Sequence, residues 1–209
     1  MSVDVPATLE AIAEEVKVCT DCELCRGRTH AVPGVGDPNT RVMLIGEGPG
    51  FNEDKQGLPF VGQSGKLLSE LLSHAGLTRE DVFITNVVKC RPPGNRDPLP
   101  DEIAACSNYL DRQIEAINPD VIVTLGRFSM SRWFPGERIS QVHGKPRRSG
   151  ERMIVPMYHP AAALHQRAIL PDIQADFRQL PVHLAKVAEE RAEREKGDPD
   201  PEPTQATLF

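Results

Sequence analysis

Residues 42–50 read Val42-Met43-Leu44-Ile45-Gly46-Glu47-Gly48-Pro49-Gly50. A continuous apolar run that ends in glycines is typical of a parallel strand buried on both faces. Further strands are predicted downstream, at residues 82–84, 121–125 and 152–157. Helical patterns separate and flank them, at residues 7–17, 63–75 and 101–117 and after Arg127, Pro160 and Pro171. Strands that alternate with helices predict an α/β fold with a parallel sheet and right-handed crossovers.

A polar residue or a glycine follows each predicted strand. These residues are Glu47, Asn86, Gly126 and His159. Ligands of open parallel sheets bind beyond the carboxyl ends of the strands. Because four strand ends point to one crevice, the sequence predicts an active site there.

The glycine-rich segment 46–50 matches neither common nucleotide-binding loop. The chain has no GxxxxGK[ST] phosphate loop, and a dinucleotide loop needs a third glycine and a turn that Pro49 interrupts. A glycine-rich turn beside a carboxylate lets the backbone approach a flat ligand closely. On this motif alone, a tight structural turn explains the glycines equally well.

The length of 209 residues suffices for one domain with a proper core. No apolar run approaches the roughly 18 residues of a membrane span. Residues 1–15 are polar and acidic and do not resemble a signal peptide. We therefore expect a cytosolic protein without a membrane partner. In that compartment, five cysteines favour metal binding or reactivity over disulfides.

The formal net charge is −6, which is unusual for a protein that binds nucleic acid. The acidic excess lies at the two ends of the chain, whereas residues 24–188 carry 17 acidic and 20 basic side chains. A mildly basic central region can bind a polyanion locally. Charge alone does not show that it does.

Three of the cysteines are closely spaced near the N-terminus, as Cys19-x2-Cys22-x2-Cys25, and Cys90 and Cys106 follow much later. A CxxC turn presents two thiolates to one centre, and four thiolates suit zinc or an iron–sulfur cluster equally well. Reduced structural cysteines are the third interpretation. Five candidates for four positions leave one cysteine over, and the spacing does not say which.

Several long motifs carry a resemblance to a known family. Gly46-Glu47-Gly48-Pro49-Gly50-x2-Glu53-Asp54-x2-Gly57-x-Pro59-Phe60-Val61-Gly62 is similar to the first motif of the iron–sulfur (family four) uracil-DNA glycosylases. The segment from Asn86 to Arg96, which reads NVVKCRPPGNR, resembles their second motif, and His159-Pro160 resembles the start of the third. Cys19-x2-Cys22-x5-Arg28-Thr29 resembles their N-terminal ligand segment. The resemblance covers residues 15–180 in order.

The resemblance implies a single three-layer α/β/α domain over residues 1–196, with a short parallel sheet of about four strands. It implies a [4Fe–4S] cluster on Cys19, Cys22, Cys90 and Cys106, with Cys25 left out, because that position is commonly not cysteine in the family. The cluster's role in the family is structural, in support of loops that contact DNA. Residues 197–209 are predicted to be a disordered acidic tail.

The resemblance also implies hydrolysis of the bond between uracil and deoxyribose in DNA, as a first step of base excision repair. The uridine would be flipped into a pocket formed by Glu47, Gly48, Phe60, Asn86 and His159. Phe60 would stack on uracil, Asn86 would pair with its O4 and N3–H, and His159 would donate to O2 of the leaving group. Without the resemblance, the same three residues read as a core aromatic, a turn residue and a structural histidine.

Two carboxylates are candidates for positioning the attacking water. Glu47 is the first choice, by analogy with sugar hydrolysis, and Glu53 is the second. Glu53 has an alternative role at the C5 edge of uracil, where it would exclude thymine.

A further set of residues is predicted to contact DNA. Leu164 would fill the gap that the flipped base leaves, although the alanines before it fit a plain helix start equally well. The predicted cationic contacts are Lys89, Arg91, Arg96 and Arg167, for which the alternative is an ordinary solvated surface.

Two other functions remain open. A relative that captures uracil-DNA without turnover would carry a basic insertion that ends in histidine. The chain has none, and the context of His143 does not match. An electron-transfer protein would explain the cysteines but would leave the polar strand ends without a role.

The end of the chain resembles a short peptide that docks to a replication clamp. Gln205 would make polar contacts, and Leu208 and Phe209 would fill an apolar pocket. A random tail end is the alternative. We predict a protein that acts as a monomer on uracil-containing DNA.

Overall fold

The computed structural model describes residues 4–197. Its strands are β1 (Val35–Gly36), β2 (Val42–Gly46), β3 (Phe83–Asn86), β4 (Val121–Leu125), β5 (Arg147–Ser149) and β6 (Arg152–Met157). The helices are α1 (Val5–Val18), α2 (Phe51–Gln56), α3 (Gln63–His74), α4 (Pro100–Ile117), α5 (Arg127–Met130), α6 (Ile139–Val142), α7 (Pro160–His165), α8 (Leu170–Arg178) and α9 (Leu180–Gly197). Single 3-10 turns lie at Glu23–Arg26, Pro93–Asn95 and Arg167–Ile169.

The six strands form one sheet in the order β1-β3-β2-β4-β6-β5. The four central strands are parallel, with Leu44 of β2 opposite Ile84 of β3 and Val123 of β4. The short strands β1 and β5 pair antiparallel with β3 and β6 at the two edges. The predicted four-stranded parallel sheet is therefore confirmed, and each of its edges carries one additional short strand.

Side chains of each central strand alternate between two apolar cores. In β2, Met43 and Ile45 pack towards α1 and α4, whereas Val42 and Leu44 pack towards α3, α8 and α9. This alternation explains the unbroken apolar sequence of the strand, since both of its faces are buried. The predicted three-layer α/β/α architecture is confirmed.

Helix α4 shows how local sequence sets the bounds of an element. Pro100 occupies its first turn, where a missing N–H costs nothing. The carboxylate of Glu102 accepts the N–H of Leu99 at 2.7 Å, and Asn118 ends the helix in a left-handed conformation (φ 47°). The helix therefore holds the cysteine at position 106 at a fixed distance from the loop that precedes it.

The predicted clamp-docking peptide at Gln205, Leu208 and Phe209 lies outside the described residues, as does most of the predicted tail from residue 197. Its docking and the domain boundary at residue 196 stay predictions. Within residues 4–197, no helix combines the length and the apolar character needed to cross a bilayer.

Candidate active site

The structure brings the predicted strand ends together in one cleft of about 300 Å³. Glu47 follows β2, Asn86 is the last residue of β3, and His159 lies two residues beyond β6. Gly126, after β4, packs behind the histidine, where a methyl group would lie 3.2 Å from its Cβ. The cleft is lined by Glu47, Gly48, Pro49, Gly50, Glu53, Phe60, Ser64, Asn86, Pro92, Asn95, Arg96, His159 and Ala161.

Phe60 is held in an unusual backbone conformation on one side of the cleft. Its φ is 53°, a left-handed value that costs a non-glycine residue about 1–2 kcal/mol. Arg79 donates to the carbonyl oxygens of Phe60 and Pro59 at 3.1 and 2.8 Å. A methyl group at Gly65 would lie 1.8 Å from the Phe60 carbonyl oxygen, so only glycine fits there. Neither Arg79 nor Gly65 was singled out from the sequence, because a backbone dihedral leaves no mark in the pattern.

Asn86 is almost fully buried at the base of the cleft. Within the described residues, its side-chain amide forms no hydrogen bond, so the amide is free to pair with a ligand. A methyl group at Gly46 would lie 2.4 Å from Oδ1 of Asn86 and 2.8 Å from the ring of Phe60. The first glycine of the motif therefore makes room for an amide and an aromatic ring in the same place.

His159 carries its proton on a defined ring nitrogen. The backbone N–H of Ala161 donates to Nδ1 at 3.1 Å, which leaves the proton on Nε2. Burial lowers the pKa of His159 to about 4, and the charge of Glu53 opposes this effect. The ring stacks on that of Phe60 with centroids 5.4 Å apart. At neutral pH the side chain is therefore an uncharged hydrogen-bond donor.

The two carboxylates in the cleft have different surroundings. Oε1 of Glu53 accepts the N–H groups of Val61 and Gly62, each at 2.9 Å, and the side chain is buried. The carboxylate of Glu47 forms no hydrogen bond within the described residues, whereas its backbone carbonyl oxygen accepts the N–H of Val88 at 3.1 Å. Burial and the nearby Asp97 raise its pKa. Glu53 is thus occupied in holding the backbone after Phe60, whereas Glu47 is available to a ligand.

The family comparison covers every residue of this cleft. Residues 33–180 match the family described as the uracil DNA glycosylase superfamily. This chain belongs to the uracil DNA glycosylase superfamily.

Relatives within the superfamily include several type-4 proteins. The type-4 uracil-DNA glycosylase of Saccharolobus solfataricus is 52% identical over 182 residues, which cover 82% of this chain and 84% of that protein. The type-4 protein of Thermotoga maritima is 48% identical over 175 residues, or 79% and 91% of the two chains. The type-5 protein of Thermus thermophilus is 36% identical over 115 residues, or 47% and 52%. The predicted membership of the family is confirmed. The type-4 proteins match this chain over more residues and at higher identity than the type-5 protein does.

One predicted DNA contact of this superfamily member is wrong. Lys89 is 1% exposed, and its Nζ donates to Thr85 Oγ1, Gln113 Oε1 and the carbonyl oxygen of Asn86 at 2.6–2.9 Å. Burial lowers the pKa of Lys89 to about 8. A side chain enclosed by three acceptors cannot reach a phosphate, so this lysine holds the carboxyl end of β3 instead.

The other predicted DNA contacts lie at or near the surface. Leu164 on α7 is 43% exposed, and Arg167 is exposed in the turn that follows. Arg91 donates to Oδ1 of Asn95 at 2.6 Å. Arg96 forms a two-bond ion pair with the buried Glu102 at 2.6 and 2.9 Å, so its guanidinium group already has an acidic partner. Arg96 is therefore better suited to hold the loop between β3 and α4 in place than to bind a phosphate.

All five cysteines line a second cavity, between α1, the turn at Glu23–Arg26 and α4. Arg28 donates to Sγ of Cys90 at 3.1 Å, and the N–H of Lys89 donates to Sγ of Cys106 at 3.3 Å. Within residues 4–197, no three cysteine, histidine or acidic side chains surround a point as ligands of a single ion would. Sulfur donors that line a shared cavity, with N–H groups directed at them, fit a larger thiolate-bound centre. Cys25 lines the same cavity, so its exclusion stays a prediction.

Proposed function

We propose that this protein is a type-4 uracil-DNA glycosylase that hydrolyses the N-glycosidic bond of deoxyuridine in DNA. The products are free uracil and an abasic site, the starting point of base excision repair. The observation that carries the proposal is the neutral His159, with Nε2–H free, in one cleft with Phe60 and the unpaired amide of Asn86. The cleft is at the small end of the range for ligand sites, which suits a single flipped base.

The side-chain amide of Asn86 recognises uracil. The amide N–H donates to O4 and the amide oxygen accepts from N3–H. Cytosine presents a donor and an acceptor in the opposite order, so the buried amide would stay unpaired. That mismatch costs about 1–3 kcal/mol, and stacking on Phe60 adds affinity without distinguishing the two bases.

Cleavage builds positive charge on the sugar and negative charge on the departing uracil. Nε2–H of His159 donates to O2 of the leaving group and stabilises the negative charge as an oxyanion hole does. Because the hydrogen bond from Ala161 fixes the ring, no reorganisation is needed as the bond breaks. The neutral imidazole therefore acts as a donor and transfers no proton.

Glu47 positions the water and stabilises the cationic sugar. Its raised pKa makes it a stronger base than a solvated glutamate. Glu53 holds the backbone of residues 60–62 through Oε1 and so supports the stacking residue. A role of Glu53 at the C5 edge of uracil is compatible with this position, since the residue also lines the cleft.

We further propose that Cys19, Cys22, Cys90 and Cys106 hold a [4Fe–4S] cluster. When bound, the cluster would cross-link the N-terminal segment, the loop that follows β3, and helix α4. It would take no part in the reaction. The loop between Cys90 and α4 contributes Pro92, Asn95 and Arg96 to the cleft, and Arg96 is itself tied to α4 through Glu102. Loss of the cluster would therefore disturb one wall of the uracil pocket.

Incubation with an oligonucleotide that contains one deoxyuridine tests the proposed function. Free uracil and an alkali-labile abasic site are the expected products, and Asn86→Ala and His159→Ala should each slow the release by at least about 100-fold. A stable complex without free uracil would instead indicate a non-catalytic binder. His143 does not favour that alternative, because its Nδ1 bonds to Asp176 at 2.8 Å and the residue is absent from the cleft lining.

A further inference from the structure

An aromatic side chain is exposed directly beside the cleft. Phe51, the first residue of α2, is 50% exposed and immediately follows Gly50, which lines the cleft. Among the large apolar side chains exposed within the described residues, it is the only aromatic one. Uracil binding inside the cleft does not use it, and its exposure costs hydrophobic stabilisation.

Two cations lie over this ring. Nζ of Lys55 is 4.5 Å from the ring centroid, and Cζ of Arg91 is 5.1 Å from it. Both distances are within the reach of a cation–π contact. Arg91 also bonds to Asn95, which lines the cleft, so this arginine is anchored to the rim.

The acidic residues of the same helix point inward. Oε1 of Glu53 accepts backbone N–H groups of residues 61 and 62, and Oδ1 of Asp54 accepts the N–H of Thr29 at 2.8 Å. Both carboxylates are buried. Lys55 therefore provides the only charge on the exposed face of α2, although the whole chain carries a net charge of −6.

We propose that Phe51, Lys55 and Arg91 form a stacking surface for the nucleobase next to the flipped uridine on the same strand. Flipping a nucleotide exposes the face of its neighbour, and an exposed aromatic ring with adjacent cations fits a base and its phosphates. The inference rests on the proposed function and extends it, because the pocket recognises uracil whereas this surface binds the strand that carries it.

Kinetics with a single-stranded oligonucleotide that contains one deoxyuridine test the surface. Phe51→Ala should raise KM about tenfold, which is a moderate value for the loss of one stacked base, and most of the effect should fall on KM. Phe51→Trp should restore KM to within about twofold, since tryptophan also stacks. Val182→Ala is the matched control, because Val182 is an exposed apolar residue on α9 and should behave as wild type.

Fluorescence gives a second readout. Trp133 is the single tryptophan of the chain, so Phe51→Trp in a Trp133→Phe background reports on position 51 alone. Binding of an oligonucleotide with non-hydrolysable 2′-fluoro-deoxyuridine should quench this signal. An unchanged KM for Phe51→Ala, or no quenching, overturns the stacking surface while wild-type uracil release keeps the proposed function intact. A wild-type protein that releases no uracil overturns the proposed function itself.

Discussion

The guanidinium group of Arg79 donates a 3.1 Å hydrogen bond to the carbonyl oxygen of Phe60. Within the described residues, Arg79 forms no ion pair, and burial lowers its pKa. Its hydrogen bonds go to backbone oxygens, where they offset the strain of the left-handed Phe60. The orientation of the aromatic ring that stacks on His159 therefore depends on a side chain outside the cleft lining.

Loss of this contact should reduce activity more than it reduces the stability of the fold. We expect Arg79→Ala to lower kcat/KM for uracil release by roughly tenfold to a hundredfold, because Phe60 would relax away from its productive position. Arg79→Lys should have a smaller effect, since lysine can still donate to one carbonyl. Arg178→Ala, an exposed arginine on α8, is the control. Wild-type kcat/KM in Arg79→Ala, measured well below its Tm, would contradict the positioning role.

Gly46→Ala should remove activity while leaving the fold intact. The added methyl group would meet Asn86 Oδ1 at 2.4 Å and the Phe60 ring at 2.8 Å, so one of the two uracil-binding groups must move. We expect kcat/KM to fall by more than about 100-fold with a near-native circular dichroism spectrum. Gly27→Ala is the matched control, because a methyl group added there would have no neighbouring atom within 4 Å. Equal activities of the two variants would show that the cleft tolerates the extra atom.

The sequence predicts the central parallel strands well, because burial on both faces produces unbroken apolar runs such as 42–45 and 121–123. The edge strands escaped prediction for a physical reason. β1 has two residues and β5 reads Arg147-Arg148-Ser149, so neither has an apolar pattern, and only backbone pairing defines them.

The candidate site was predictable where a side chain follows a strand, as with Glu47 and Asn86. Lys89 was misassigned because a lysine normally faces solvent. The acceptors that enclose it include Gln113, 24 residues downstream on α4, a partner that no local pattern reveals. Such contacts depend on tertiary packing and become visible only in the folded structure.

The buried Lys89 gives a prediction that separates stability from DNA binding. Lys89→Met should lower the free energy of unfolding by roughly 1–3 kcal/mol, because Thr85 and Gln113 lose their donor inside the core. The salt dependence of DNA binding should not change. Arg91→Met should do the opposite, with near-native stability and a log–log salt slope smaller by about 1. A reduced slope in Lys89→Met would restore that residue as a phosphate contact.

The buried neutral His159 makes stability depend on pH. Its pKa is about 4 in the folded protein and near 6.5 when unfolded, so between these values the unfolded chain binds more protons. The contribution is complete above about pH 6.5 and is lost as the pH falls towards 4, by roughly 3 kcal/mol. Urea unfolding of wild type and His159→Asn at pH 7 and pH 4.5 measures it. Asparagine can keep the bond to Ala161 without titrating, so an equal pH dependence in both proteins would contradict the assignment.

The cysteine cavity allows a direct test of which sulfurs hold a cluster. We expect purified protein to be brown, with about four iron atoms and four inorganic sulfides per chain. Cys106→Ala should lose the visible absorbance and the iron, because its buried sulfur would be one of the four ligands. Cys25→Ala is the matched control from the same cavity and should keep both.

Uracil release by the cysteine variants then shows what the centre does. Cys106→Ala should be less stable and less active, because α4 anchors the loop wall through Glu102 and Arg96. Normal iron content in Cys106→Ala together with loss in Cys25→Ala would exchange the two ligand assignments. Colourless protein with one zinc per chain would refute the cluster. Full activity after loss of iron would show that the loop between Cys90 and α4 keeps its position in the cleft without the cluster.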